Sequence, residues 1–219
     1  MPISFSRRTF LAVLRPLSLL MGSSDPFRTH SDTCYSTMGL MSSPVPVAIA
    51  LGSNLGDSVA TVTAATDAIN AIPGITVTAR SPLYKTAPIG PPQPDYINAC
   101  LTAQTTLPPR VLLQTLLDIE HQFGRVRQER WGARSLDLDL LLYSDRTLNL
   151  PGLTVPHPRL HHRAFVLIPL TDVASDWVHP QLCQSIEQIA QRYLFEHPSD
   201  RRDVVPLAAS QAVSQSCIQ

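Results

Sequence analysis

From Val45 onward the chain switches between two hydrophobic periods. Val45 to Leu51 is short, apolar and rich in β-branched residues, and Gly52 closes it, which predicts a buried strand. Asp57 or Ser58 can cap the next segment, whose Val59, Val62, Ile69 and Ile72 share one side of a helix that stops at Pro73-Gly74. Ile75 to Tyr84 alternates around Ile75, Val77 and Ala79 and predicts a second strand. A proline-rich loop from Thr86 to Pro94 separates it from a third strand over Tyr96 to Thr106. Pro108 and Pro109 suit the first turn of a helix, where a missing N–H costs little. Leu112, Leu113, Leu116, Leu117, Ile119 and Phe123 then form an apolar stripe, with Gly124 as the C-terminal cap. An arginine-rich loop leads to a last strand, Leu136 to Tyr143.

The order βαββαβ predicts an α+β, ferredoxin-like domain: an antiparallel sheet with two helices packed on one face, plus C-terminal additions. Its expected extent is residues 45–195. Residues 1–44 lack a sustained period and end in Ser42-Ser43-Pro44, a linker composition, so they read as a disordered extension or a mis-assigned start upstream of Met38 or Met41. Ser6 to Leu11 looks like a twin-arginine export signal, but Arg15-Pro16 breaks the apolar stretch behind it and no clear cleavage site follows, so the expected location is cytoplasmic. Residues 196–219 turn polar and small and are expected to form a loose tail.

Charge narrows the function. The chain carries 17 basic and 17 acidic residues, so no global field favours nucleic acid or an anionic membrane. No apolar run approaches the ~18 residues of a membrane span. Four arginines, Arg125, Arg127, Arg130 and Arg134, fall close together with Glu129 as the single acid among them, which points to a small anionic ligand. Cys34, Cys100, Cys183 and Cys217 show no CxxC spacing and read as reduced thiols.

The chemistry centres on Leu136-Asp137-Leu138-Asp139-Leu140. On a strand both acids project to one side and the leucines to the other. Adjacent carboxylates repel unless a cation lies between them, and Mg²⁺ favours one or two carboxylates with water and phosphate oxygens completing its octahedron. Alone, the pair is also what a solvated amphipathic strand presents. The arginines before it shift the balance, since guanidinium forks match phosphate oxygens bidentately and complement a metal-bound triphosphate. Gly124 and Gly132 bracket a loop that can close as a lid. The Gly52 block lacks a following Gly-Lys-Ser/Thr and is not a Walker loop.

Arg130 to Leu141, RWGARSLDLDLL, resembles the signature of the 6-hydroxymethyl-7,8-dihydropterin pyrophosphokinase family of the folate pathway. Three further blocks follow the family's order: Leu51 to Gly56; Tyr84 to Pro88 through Gln93 to Asn98; and Pro156 to Arg159 through Arg163 to Phe165. The resemblance covers roughly Val47 to Tyr193 and implies the same ferredoxin-like fold. It implies pyrophosphoryl transfer from ATP to the pterin hydroxymethyl group, giving AMP and the pterin diphosphate. Asp137 and Asp139 match carboxylates that hold two Mg²⁺ ions. Arg125 and Arg134 match the arginines nearest the transfer, and Arg127, His157 and Arg163 match ATP-phosphate contacts. Glu120 lies where the family has a polar contact near the nucleotide. Trp131 and Phe165 match an aromatic pair that sandwiches the pterin, Asn98 matches a contact to the ring edge, and Thr86, Ile89 and Tyr96 line the same pocket. Ala87 and Pro158 depart from some relatives, which carry proline and tyrosine there. The implied partners are ATP and the hydroxymethyl dihydropterin, with no nucleic acid and no membrane, and the expected state is a monomer.

Two rivals make different demands. A nucleotide-sugar transferase also uses Asp-x-Asp but opens with parallel βαβ units. A ferredoxin-like RNA-binding module wants exposed aromatics and basic side chains on its sheet, where this chain has aliphatic strands and two acids.

Overall fold

The computed structural model describes residues 43–88, 90–124 and 132–208. β1 (Val45–Ser53) buries Val47, Ile49 and Leu51 on one side and Ala48 on the other. α1 (Ser58–Asn70) starts at Asp57, whose carboxylate accepts from the Ala60 N–H at 3.0 Å, and buries Val62, Ala65 and Ile69. β2 (Ile75–Arg80) and β3 (Tyr84–Thr86) both pair antiparallel with β4 (Tyr96–Thr105), so the single strand expected over 75 to 84 is interrupted at Ser81-Pro82-Leu83. Pro82 has no N–H for a ladder. Beside it the Ser81 hydroxyl accepts from the Cys100 N–H at 3.0 Å, and the Ser81 N–H donates to the Cys100 carbonyl at 2.9 Å. α2 (Pro109–Gln122) buries Leu112, Leu116 and Ile119 and ends at Gly124, whose φ of 76° lies in the left-handed region. β5 (Asp137–Tyr143) completes the predicted run.

Beyond it come a hairpin, β6 (Leu148–Leu150) with β7 (Leu153–Val155), a 3₁₀ turn (Leu160–His162) and α3 (Ala164–Ala174). β8 (Val178–His179) pairs β9 (Gln184–Ser185), and Ser185 and Gln188 form a capping box for α4 (Ile186–Glu196). α5 (Pro198–Arg202) and β10 (Val204–Pro206) follow.

Among the described residues the main sheet runs β10-β3-β4-β1-β5, with β2 beside β4, and every pairing is antiparallel. This is the expected ferredoxin-like core. Helices α1 and α2 cover one face over Ile49, Leu51, Leu101, Leu138 and Leu140. The C-terminal additions close part of the other, where α3 and α4 pack on Ala48, Cys100, Leu141 and Leu142. The register of β5 on β1 shifts between Ala48 and Ile49, leaving Leu141 as the extra residue. Consecutive Leu141 and Leu142 therefore both pack toward α3 and α4. No described helix is long and apolar enough to cross a membrane.

The loose tail expected from residue 196 is corrected over its first half. Val204 is buried against Tyr84 and Ala164, and Val204–Pro206 pairs with Tyr84–Thr86. One buried valine and a short ladder hold a segment whose composition is otherwise polar. Residues 209–219 and 1–42 lie outside the described residues.

Val204→Asp places a charge where the valine is 8 % exposed. It is expected to cost about 2–4 kcal/mol, read as a lower denaturation midpoint. An unchanged midpoint would show that β10 contributes nothing to stability.

Candidate active site

Asp137 and Asp139 leave β5 on the side away from Leu138 and Leu140, toward α3 and the turn that precedes it. They line a cleft of about 270 Å³ together with Thr86, Tyr96, Asn98, Arg134, Arg163 and Phe165. That volume is near the small end for ligand sites. The sheet thus brings β3, β4 and β5 side chains to one face across β1.

Arg134 donates a guanidinium N–H to Asp137 Oδ2. Asp139 Oδ2 lies 3.9 Å from His157 Nε2 and 3.7 Å from an Arg163 guanidinium nitrogen. Burial, then repulsion from Asp137, raises the Asp139 carboxyl above its ordinary pKa against the pull of His157, Arg163 and Arg134. About a third of its side chain reaches the cleft (35 %). That opening is a recess walled by protein, so lost hydration prevails.

His157 is placed by its own backbone, which donates to the Leu141 carbonyl at 2.9 Å. Its Nδ1 accepts from the Arg159 N–H at 3.2 Å, so the neutral ring carries its proton on Nε2, facing Asp139. Burial lowers its pKa, with Asp139 opposing and Arg163 and Arg159 adding to the decrease. Phe165 belongs both to the cleft wall and to the packing under α3, and the Arg163 guanidinium lies 5.4 Å from its ring centroid. Burial raises the Tyr96 phenol pKa, keeping it protonated. Thr86 Oγ1 accepts from Asn98 Nδ2 at 2.7 Å, which fixes the orientation of the amide.

The donor set suits Mg²⁺ that arrives with a phosphate ligand. Among the described residues no three His, Cys, Asp or Glu side chains converge as a cage. Two carboxylates beside an open cleft leave positions for phosphate oxygens and water, the usual coordination of that ion.

Ile89, Arg125, Arg127 and Trp131 lie outside the described residues. Glu120 is not among the described residues that line the cleft. It is 1 % exposed between α2 and β5, and its Oε1 accepts from the Leu138 N–H at 2.7 Å. The helical spacing that puts Glu120 beside Leu116 and Ile119 already places it on the core-facing stripe.

The structure adds residues that the sequence reading did not assign to the site. Arg159, His162 and Gln93 line the cleft. The cationic run ahead of apolar α3 was the available signal for the first two. Asn54, within the Leu51 to Gly56 block, is 3 % exposed and ties two loops together. Its Oδ1 accepts from the Arg134 N–H at 2.7 Å, while its Nδ2 donates to Gln93 Oε1 at 3.0 Å and to the Pro94 carbonyl at 3.1 Å.

Two outcomes follow from these contacts. Asn54→Ala removes three hydrogen bonds to part-buried loop groups and should cost about 1–3 kcal/mol in unfolding while lowering turnover at least tenfold. Melts and steady-state rates check this, and unchanged turnover would separate Asn54 from the site. Because the folded state raises the Asp139 pKa, the native protein binds that proton more tightly than the unfolded chain. Stability from this group therefore falls as pH rises from the ordinary carboxyl value, about 3.9, through the raised one. Asp139→Asn should raise the melting temperature in EDTA at neutral pH, with the difference from the parent shrinking on acidification. A lower neutral-pH melting temperature would overturn that sign.

Comparison with known proteins gives a consistent answer. The family model for 7,8-dihydro-6-hydroxymethylpterin-pyrophosphokinase matches residues 48–175. The 2-amino-4-hydroxy-6-hydroxymethyldihydropteridine pyrophosphokinase of Synechocystis sp. is 46 % identical over 144 residues, 66 % of this chain and 74 % of that protein. The enzyme of the same name from Haemophilus influenzae is 44 % identical over 146 residues, 66 % of this chain and 91 % of that one. Among solved structures, wild-type HPPK-DHPS of Plasmodium falciparum is similar with pteroate (TM-score 0.59, 13 % identity, 74 % of this chain and 47 % of that one). The same protein with STZ-DHP gives a TM-score of 0.56 at 15 % identity, over 71 % and 42 %. The chain spans less than half the length of those two, and at such identity they speak for the fold alone. The motif order, the antiparallel sheet and the matched span agree, and the chain belongs to the 7,8-dihydro-6-hydroxymethylpterin-pyrophosphokinase family.

Proposed function

We propose that this chain transfers the β,γ-pyrophosphoryl group of ATP to the hydroxymethyl oxygen of 6-hydroxymethyl-7,8-dihydropterin, a step of folate biosynthesis. The observation that carries the reading is that Asn98, Thr86 and Phe165 share one cleft with Asp137 and Asp139. A heterocycle site and a phosphate–metal site are contiguous there. The names of the relatives that cover most of this chain's domain support the same substrates.

The chain's own contribution is positioning and charge. Asp137 and Asp139 hold Mg²⁺, with two ions expected, and the metal supplies neutralisation of the polyphosphate. Arg134, His157 and Arg163 face the same space with charge or an N–H donor. Asn98 and Phe165 orient the pterin so that its alcohol oxygen bonds to the β-phosphorus as its O–H proton passes to solvent. The bond from that phosphorus to the α–β bridging oxygen breaks, and AMP leaves. Arg125 and Arg127 are proposed for the phosphates and Trp131 for the second face of the pterin. Ile89 is proposed for the pocket wall.

Neither rival retains support. The sheet contains no parallel pair among its described strands, against a nucleotide-sugar fold. The face that an RNA module would use carries two acids under α3.

Chromatography of a reaction with ATP, magnesium and the pterin is expected to yield AMP and diphosphorylated pterin in equal amounts. ADP with a monophosphorylated pterin would mean a different kinase, and no pterin-dependent ATP consumption would remove the assignment.

A further inference from the structure

Gly52 lines the cleft, yet its backbone does not call for glycine. It sits within β1, pairs with Asn98 of β4 on one side and Asp137 of β5 on the other, and is absent from the glycines with positive φ. Space is the constraint. A Cβ at this position would lie 2.8 Å from Asn98 Oδ1, closer than real Cβ atoms come, with the Tyr96 ring next at 3.9 Å.

Asn98 is 7 % exposed, and its Nδ2 is committed to Thr86 Oγ1. That bond turns Oδ1 over Gly52, into the cleft, as a hydrogen-bond acceptor with no partner among the described residues. Asn98 and Asp137 stand two strands apart, about 10 Å at ordinary strand spacing. A ligand group that reaches Oδ1 therefore belongs to the acceptor substrate and not to phosphates held at the carboxylates.

We propose that Gly52 is a specificity-determining position for the pterin: by lacking a side chain it holds Asn98 in the rotamer whose Oδ1 accepts a ring N–H. Gly52 acts through Asn98 and is a positioning residue. The inference rests on the pterin reading above.

Calorimetry with 6-hydroxymethyl-7,8-dihydropterin and with a non-hydrolysable ATP analogue, each alone, tests it. Gly52→Ala should weaken pterin binding at least tenfold and leave the analogue within twofold. In an Asn98→Ala background the same change should add less than twofold, because the atom it displaces is gone. Equal losses for both ligands, or additive losses for the pterin, would overturn the proposal. If Gly52→Ala does not fold, the double variant should recover the melting temperature and affinities of Asn98→Ala; a double variant that stays unfolded also overturns it. A parent that binds no pterin would sink the functional reading itself, whereas a parent and a Gly52→Ala that bind it equally well would sink this inference alone.

Discussion

Two carboxylates held side by side on one strand oppose each other's ionisation, and a recess makes that opposition stronger. The rest of the site depends on how β5 sustains Asp137 and Asp139. Arg134 approaches from the segment before the strand, and His157 and Arg163 from the segments after it. All three rely on the leucines between and beside the acids. Leu136, Leu138 and Leu140 are locked under α1 and α2, and a slip of one residue would turn the carboxylates into that core. Apolar packing on one face therefore fixes the electrostatics of the other.

The parts of the fold legible in the sequence were those where one local signal had no competitor. Asp57 caps α1, the leucine stripe makes α2, and alternation makes β5, each near its expected bounds. The interruption at Ser81-Pro82-Leu83 was harder, because the alternation continues on both sides and only the pairing with β4 shows two strands. β10 was missed for a related reason. Its order comes from the edge of β3 and from one buried valine, neither of which a local pattern of three residues can reveal.

The site was legible as chemistry and less so as geometry. Period-two spacing put both acids on one face, and the motif blocks named Arg163, Asn98 and Phe165 before the fold brought them into one cleft, with His157 beside Asp139. Asn54 shows the limit. Its neighbours in sequence describe a turn, while its hydrogen-bond partners come from residues 93, 94 and 134, a juxtaposition made by the sheet alone. Glu120, which the family resemblance set near the nucleotide, faces the core by its helical phase and accepts from the Leu138 N–H.

Glu120 also bears on the protein's behaviour in a crowded solution. Among the described residues β5 is the last strand of the sheet, and Leu-Asp-Leu-Leu-Leu-Tyr along it is a sequence well suited to recruiting a foreign strand. By accepting the Leu138 N–H, the α2 carboxylate occupies a donor that such a strand would need, and α2 covers the surface beside it. An acid buried in this way leaves one donor fewer on the open edge of β5, the same effect by which covered or charged edges resist pairing with a foreign strand.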